Sequence, residues 1–261
     1  MKTKILISIL LVVGLMACQK EPDESILQNP TNCTLKSIVY HDDLGNPEDT
    51  CEITYSGSDI TRADYSTVYI TLEYTSGRVS RRNLIIQGTT TPLLYDLFTY
   101  NADGTFKHIE SYFTGLGAPL LFYTYDFTYS NGKIAEILEM QDTTVTGGQL
   151  FPLYKYTFTY SGDNITHIVE DDLVDLVTDT YDFQYDNNPN YYNKIPNLFF
   201  IESIFIDLDS STLPLALSGN NVTKIINAFG NTDLSYTEEN GNIKELFLDG
   251  VKLAKYVYNC Q

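Results

Sequence analysis

Apolar and polar residues alternate along most of this chain, and the alternation is repeatedly interrupted in the same way. Tyr156, Phe158 and Tyr160 alternate with Thr157 and Thr159, which predicts a strand with one aromatic and one polar face. Ser161-Gly162-Asp163-Asn164 follows, a set of residues suited to the positive φ angles of a tight turn. Then comes Ile165-Thr166-His167-Ile168. An Ile-x-x-Ile spacing breaks strict alternation and predicts a β-bulge that keeps both Ile side chains on the core face.

The unit recurs. Residues 125–137 repeat 156–168 almost position by position. Related versions surround Tyr55-Ser56-Gly57, Tyr74-Thr75-Ser76-Gly77, Tyr100-Asn101-Ala102-Asp103-Gly104, Tyr185-Asp186-Asn187-Asn188, Leu217-Ser218-Gly219-Asn220 and Tyr236-Thr237-Glu238-Glu239-Asn240-Gly241, eight units in all. Two half-units flank them. Residues 34–40 match only the second strand, with Leu35 and Ile38 in the Ile-x-x-Ile positions, and 255–258 match only the first. The expected fold is all-β: an antiparallel meander of about nine repeated hairpins, roughly 18 strands, over residues 33–261. Pairing of the first and last strands closes or nearly closes it into a barrel-like or flattened-barrel domain without exposed edges.

The half-units also place the cysteines. Aligned to 156–168, Cys260 falls where Gly162 sits and Cys33 where Asp163 sits, adjacent in the turn. A Cys33–Cys260 disulfide would stand in for the missing turn and lock the closure, as an oxidising compartment permits. The rival is Cys33–Cys51. A hairpin turning at Leu44-Gly45-Asn46-Pro47 sets Cys51 opposite about Val39, and at ~3.3 Å per residue Cys33 then lies beyond disulfide reach. Cys51 shares a face with Ile53 and Tyr55 and reads as a buried free thiol. A pair involving Cys51, or no bridge, remain the alternatives.

The N-terminus has a different pattern. Met1-Lys2-Thr3-Lys4 precedes an apolar run over 5–16 and then Ala17-Cys18, the layout of a secretion signal spanning 1–17. The run is shorter than the roughly 20 residues a membrane-spanning helix needs. Leu15-Met16-Ala17-Cys18 resembles the bacterial lipobox, which implies lipidation of Cys18 and a membrane anchor. Residues 18–32, with Gln19-Lys20-Glu21-Pro22-Asp23-Glu24-Ser25, read as a flexible acidic tether. Acidic residues at this place resemble the export signals of Bacteroidetes surface lipoproteins and imply the cell-surface side of the outer membrane; a periplasm-facing anchor is the alternative.

The resemblance extends to the domain. The aromatic-Thr-Tyr, turn, Ile-x-x-Ile unit resembles the YD/RHS-type repeats of bacterial surface proteins. Over about residues 33–260 the layout looks like a family of Bacteroidetes lipoproteins of unknown function, for which the resemblance implies a porin-like β fold. It carries over no functional residues. Two units depart from the pattern, the stretched sixth with Pro189 and Pro196, and the seventh, where Leu217 replaces Tyr.

Charge narrows the partners. The chain has 16 Lys and Arg against 34 Asp and Glu, a net charge of −18. Loss of residues 1–17 removes Lys2 and Lys4 and leaves 14 against 34, or −20. Such a surface repels nucleic acid and anionic lipid. Chemistry is sparse. His108 and His167 occupy matching polar-face positions, and His41 stands apart; a zinc site would need three or four converging ligands. Glu170-Asp171-Asp172 with Asp175 and Asp179, and Asp207-Leu208-Asp209-Ser210, offer oxygens for Ca²⁺. Both lack the glycine spacing of a calcium loop and read as solvated faces. No nucleophile elbow, zinc-protease or phosphate-loop motif occurs. No catalytic residue, metal or cofactor is therefore expected, although a glycosidase carboxylate pair is set by distance in space, not by sequence spacing.

Asn32-Cys33-Thr34, Asn164-Ile165-Thr166 and Asn221-Val222-Thr223 match a glycosylation acceptor pattern, and the last two read as turn residues. Asp142-Thr143-Thr144 resembles the O-glycosylation motif of Bacteroidetes exported proteins. Tyr125, Tyr129, Tyr156, Tyr160, Tyr181 and Tyr185 either pack the core or line a ligand cavity, and the absence of Trp weighs against glycan stacking. Insertions at 115–119, 143–148 and 186–196 are the candidate functional loops. The leading expectation is a non-enzymatic surface module that binds a glycan, peptide or protein. The alternatives are a structural scaffold subunit, a transmembrane barrel with aromatic faces toward lipid, and a glycoside-acting enzyme.

Overall fold

The computed structural model describes residues 33–260 except 116, 143–148, 196, 203–209 and 211. The secretion signal, Cys18, the tether, Asn32, the 143–148 insertion and residues 207–209 lie outside the described residues. Sixteen strands follow in order: β1 (Cys33–His41), β2 (Pro47–Ser56), β3 (Asp59–Asp64), β4 (Val68–Thr75), β5 (Arg78–Ile86), β6 (Pro92–Tyr100), β7 (Phe106–Phe113) and β8 (Leu120–Ser130). The second half is β9 (Lys133–Asp142), β10 (Leu150–Ser161), β11 (Asn164–Asp172), β12 (Val177–Pro189), β13 (Asn220–Asn227), β14 (Gly230–Glu239), β15 (Asn242–Leu248) and β16 (Val251–Cys260). Every strand pairs with its chain neighbour, and β1 pairs antiparallel with β16 to close a barrel.

The repeat builds this barrel as read. Asn131-Gly132 and Asn240-Gly241 both have positive φ at their turns, the geometry of a two-residue hairpin loop. After each turn the register slips by one residue. In β10–β11, Thr159 faces His167 and Tyr160 faces Ile165, leaving Thr166 as the extra residue. Ser80, Lys107 and Ala135 are extra in the same way, as is Lys36 at the β1–β16 seam. The bulge turns both Ile165 and Ile168 inward, and both are fully buried.

The strand count is 16 rather than 18 because the sixth and seventh units are halves of one hairpin. β12 is the first strand of the sixth unit and β13 the second strand of the seventh. Between them the chain leaves the wall. It forms a 3₁₀ turn (Tyr191–Lys194), α1 (Leu198–Ile201) and α2 (Leu213–Leu217), in which Tyr191, Leu198, Phe200, Ile201 and Leu213 are buried. A sixteen-strand wall encloses more space than its own side chains fill. This segment occupies that space: Phe200 stacks edge-on to Phe98, and Tyr191 to Tyr256.

Polarity separates the two faces of the wall. The inner face carries Ile38, Cys51, Ile70, Ile109, Ile137 and Ile168, all fully buried. The outer face carries cross-strand ion pairs, Lys155–Asp171 at 3.3 Å, Lys224–Asp233 at 3.1 Å and Lys252–Glu245 at 2.6 Å. A transmembrane barrel has the opposite arrangement, with an apolar band outside. Here the aromatic faces meet the interior segment, and the charged faces point outward.

Candidate functional site

The two ends of the barrel differ. One end holds the tight turns and the seam, where Cys33 and Cys260 face each other in register and form a disulfide with a Cα separation of 4.0 Å. Cys51 is a buried free thiol, and burial pushes its pKa up to about 12. The interior segment leaves and rejoins the wall at this end. Asn190 closes its neck: the Asn190 amide nitrogen donates to the carbonyls of Leu215 at 2.7 Å and Ser218 at 2.9 Å, and its oxygen accepts from the Tyr192 backbone.

Inside, the wall grips the segment through polar groups. Arg82 Nε bonds Asp96 Oδ2 at 2.6 Å, and Asp96 accepts from Ser111. Arg82 Nη1 also reaches the carbonyl of Phe200, and the Tyr65 hydroxyl donates to that of Ile201 at 2.7 Å. The Glu202 carboxylate accepts from the hydroxyls of Tyr40 and Tyr192. Burial drives its pKa up to about 7, against the lowering effect of these tyrosines and Tyr256. Among the described residues, the interior segment is thus anchored to the wall by these polar groups.

The opposite end carries the other loops, among them the two-residue turns before β14 and β16 and the five-residue loops before β2 and β6. Every exposed large hydrophobic residue among the described residues lies there: Leu44, Ile86, Phe122, Phe151, Val174, Leu176, Val177, Phe229, Leu248, Val251 and Leu253. Three of these loops share one device. A side-chain oxygen accepts the backbone N–H two residues on and so fixes an apolar tip. Asp42 holds Leu44 at 3.0 Å, Asp172 holds Val174 at 2.8 Å and Asn227 holds Phe229 at 2.9 Å. Phe151, Pro152, Leu173 and Val174 line a shallow depression of about 480 Å³ at the same end.

The residues singled out in the sequence are scattered. His108 and His167 face outward and pair with Asp126 and Asp182, each at 2.7 Å. His41 bonds the carbonyl of Val39. Asp171 pairs with Lys155 and accepts from Thr178, which holds its carboxyl below the usual range. Glu170 accepts from buried Ser210 inside the barrel. Among the described residues no group of three or more His, Cys, Asp or Glu is arranged to hold a metal ion. Asn164 and Asn221 bond Asn220 and Asp186 at the neck of the interior segment.

Tyr125 and Tyr156 are fully buried packing residues. The last Tyr of the unit does more. Tyr55, Tyr74, Tyr100 and Tyr129 donate to the carbonyls of Leu35, Ile60, Val79 and Phe106 at 2.7 to 2.9 Å, and Tyr185 donates to Ile165. Of the candidate loops, the stretch 186–196 begins as the end of β12, and from Asn190 to Ile195 it turns into the interior instead of outward. The apolar tips escaped the sequence reading. Their available signal was an Asp or Asn two residues before an apolar residue within a turn.

No protein-family model matches the sequence, so the likeness to YD/RHS-type repeats rests on the quoted residues alone. No curated protein matches it. Among solved structures, a porin-like protein from Bacteroides uniformis ATCC 8492 superposes with a TM-score of 0.51 at 15% identity, over 89% of this chain and 97% of that one. A porin-like protein from Bacteroides vulgatus ATCC 8482 gives a TM-score of 0.35 at 12% identity, over 87% and 98%. The likeness to the Bacteroides uniformis protein is one of fold.

Proposed function

We propose that this chain is an exported, lipid-anchored binding module that works through its outer surface and performs no catalysis. The observation that carries this reading is the polarity of the wall. A charged exterior suits water, and the described interior is packed around a segment held by Arg82, Tyr65 and Tyr40. The description porin-like belongs to the Bacteroides uniformis protein; a pore needs an open, polar lumen. The anchor rests on Cys18 and the tether on residues 18–32, which supports a place at the outer membrane, on its cell-surface side. A glycan, peptide or protein ligand fits a rigid scaffold that presents ordered loops.

The test uses two proteins. The chain lacking residues 1–24 should purify without detergent as a folded monomer and give no conductance steps in a planar lipid bilayer. The full chain carrying Cys18→Ser should move from the membrane to the soluble fraction. A domain that needs detergent, or that opens discrete channels, overturns the reading. A Cys18→Ser chain that stays with the membrane overturns the anchor.

A further inference from the structure

We propose that the loop end of the barrel is a docking surface for a protein whose contact face has apolar pockets ringed by lysine and arginine. This rests on the reading of the chain as a binding module and names its partner. Leu44, Leu176 and Phe229 are 85%, 84% and 87% exposed. Single exposed apolar residues are ordinary on any protein surface. Here they gather at one end, while the turns of the other end are built from small and polar residues.

The tips are fixed before any partner arrives. Asp42 Oδ1 accepts from the backbone of both Leu44 and Asn46, Asp172 Oδ1 from Val174 and Asp175, and Asn227 Oδ1 from Phe229 and Gly230. Ordering these loops therefore costs little on binding, which is where preorganisation raises affinity. The tips lie on one arc of the wall. Closure of β1 on β16 brings the β1–β2 loop beside the β15–β16 loop, next to β13–β14 and then β11–β12. Gly45 lies against Val251 across the first of these boundaries.

Charge selects the occupant. Asp42 and Asp43 adjoin Leu44, and Asp175 sits between Val174 and Leu176. Insertion of these tips into a bilayer would carry their carboxylates to the headgroups, and an anionic surface would repel them. A second copy would set acid against acid on a chain of net charge −18. A basic ring around apolar pockets complements both features. The seam, where residue 33 begins β1, is at the end of the barrel opposite the tips.

The probe is a synthetic peptide of leucine and lysine, with a leucine–glutamate peptide as control, measured against the chain lacking residues 1–24. The lysine peptide should bind with an affinity that falls as salt rises, and the glutamate peptide should not bind. Leu44→Ser, Leu176→Ser and Phe229→Ser combined should weaken binding about tenfold or more, with an unchanged folded spectrum. Asp43→Asn with Asp175→Asn should flatten the salt dependence. Equal binding of both peptides, or binding that survives the triple substitution, overturns the docking surface. So does tip-dependent sedimentation with phosphatidylcholine vesicles, which would assign the end to lipid. A concentration-dependent dimer that the triple substitution abolishes would assign it to a second copy. Failure of the peptide to bind a soluble, monomeric domain removes this inference alone; a domain that requires detergent removes the binding-module reading beneath it.

Discussion

The hydroxyl of Tyr74 donates to the carbonyl of Ile60 at 2.7 Å, across the boundary between two hairpins. The β3–β4 ladder runs only from Asp64 to Arg62 on the β3 side and stops at the bulge. The tyrosine then supplies the bond that the ladder no longer does. The same staple joins Tyr55 to Leu35, Tyr100 to Val79 and Tyr129 to Phe106. It explains why the unit ends in Tyr, while the position two residues earlier accepts Phe98, Phe127 or Phe158.

Tyr74→Phe keeps the ring and removes the donor, which leaves the Ile60 carbonyl without this partner. The expected loss is about 1 kcal/mol. Tyr129→Phe should cost a similar amount. The two staples lie four strands apart, about 19 Å at the usual strand spacing, so the double variant should show the sum. Urea unfolding measures all three. Burial pushes Tyr55 and Tyr185 up to about 12, so their staples should persist through mildly alkaline conditions. An unchanged midpoint in the double variant would remove the staple from the account.

The Cys33–Cys260 bridge spans 227 residues of sequence. In the chain-entropy model a loop of that length stabilises by about 5 kcal/mol. Cys33→Ser with Cys260→Ser should lower the unfolding temperature and leave the far loops intact. Peptide mapping without reductant should yield a peptide joining residues 33 and 260, and Cys51 should resist alkylation until the protein unfolds. A 33–51 peptide would contradict the closure.

Much of the fold was legible because a hairpin repeat is a local pattern. Turn residues, the bulge spacing and the half-units at both ends are all read from neighbours in sequence. The interior segment was not. Residues 190–218 look like two degraded units, because Tyr185 and Leu217 are each followed by turn residues. Their fate depends on the width of the closed wall, a property of all sixteen strands. The loop tips were equally hidden, since an apolar residue in a turn shows its exposure only when the loops stand together. One interior feature did leave a mark. Arg82 occupies the second Ile position of its unit, and Asp96 the position of Tyr156, so two opposite charges stand in apolar slots on paired strands.

That pair supports a sharper prediction. Arg82 and Asp96 have side chains only 2% and 7% exposed and meet at 2.6 Å. Arg82→Met alone should cost about 3 to 5 kcal/mol, because it strands a buried carboxylate. Asp96→Leu alone should cost a comparable amount. The double variant should lose much less than the sum, since apolar residues of similar size then fill the site. Purely additive losses in a double-mutant cycle would mean that Arg82 acts mainly through the Phe200 carbonyl.

Glu202 makes stability depend on pH within a defined window. Its carboxyl is raised from 4.5 to about 7 by burial beside Tyr40, Tyr192 and Tyr256. Between these values the folded chain holds the proton and the unfolded chain has lost it. The contribution of Glu202 is therefore complete below about pH 4.5 and falls as pH rises to 7. The full loss is about 3 kcal/mol at 1.36 kcal/mol per unit. The carboxyls of Asp42, Asp64, Asp103, Asp171 and Glu245 are lowered, so their contributions grow below this window rather than inside it. The other groups around Glu202, namely Tyr65, Tyr191 and Cys51, are raised and stay protonated throughout. Glu202→Gln keeps the shape and removes the titration. Urea unfolding from pH 4.5 to 8 should show wild type weakening across the window and the variant nearly flat. At pH 8 the variant should be the more stable of the two. His41, His108 and His167 are common to both proteins, so the difference between the curves isolates Glu202. Parallel curves would mean that the carboxylate is already charged inside the barrel at pH 5.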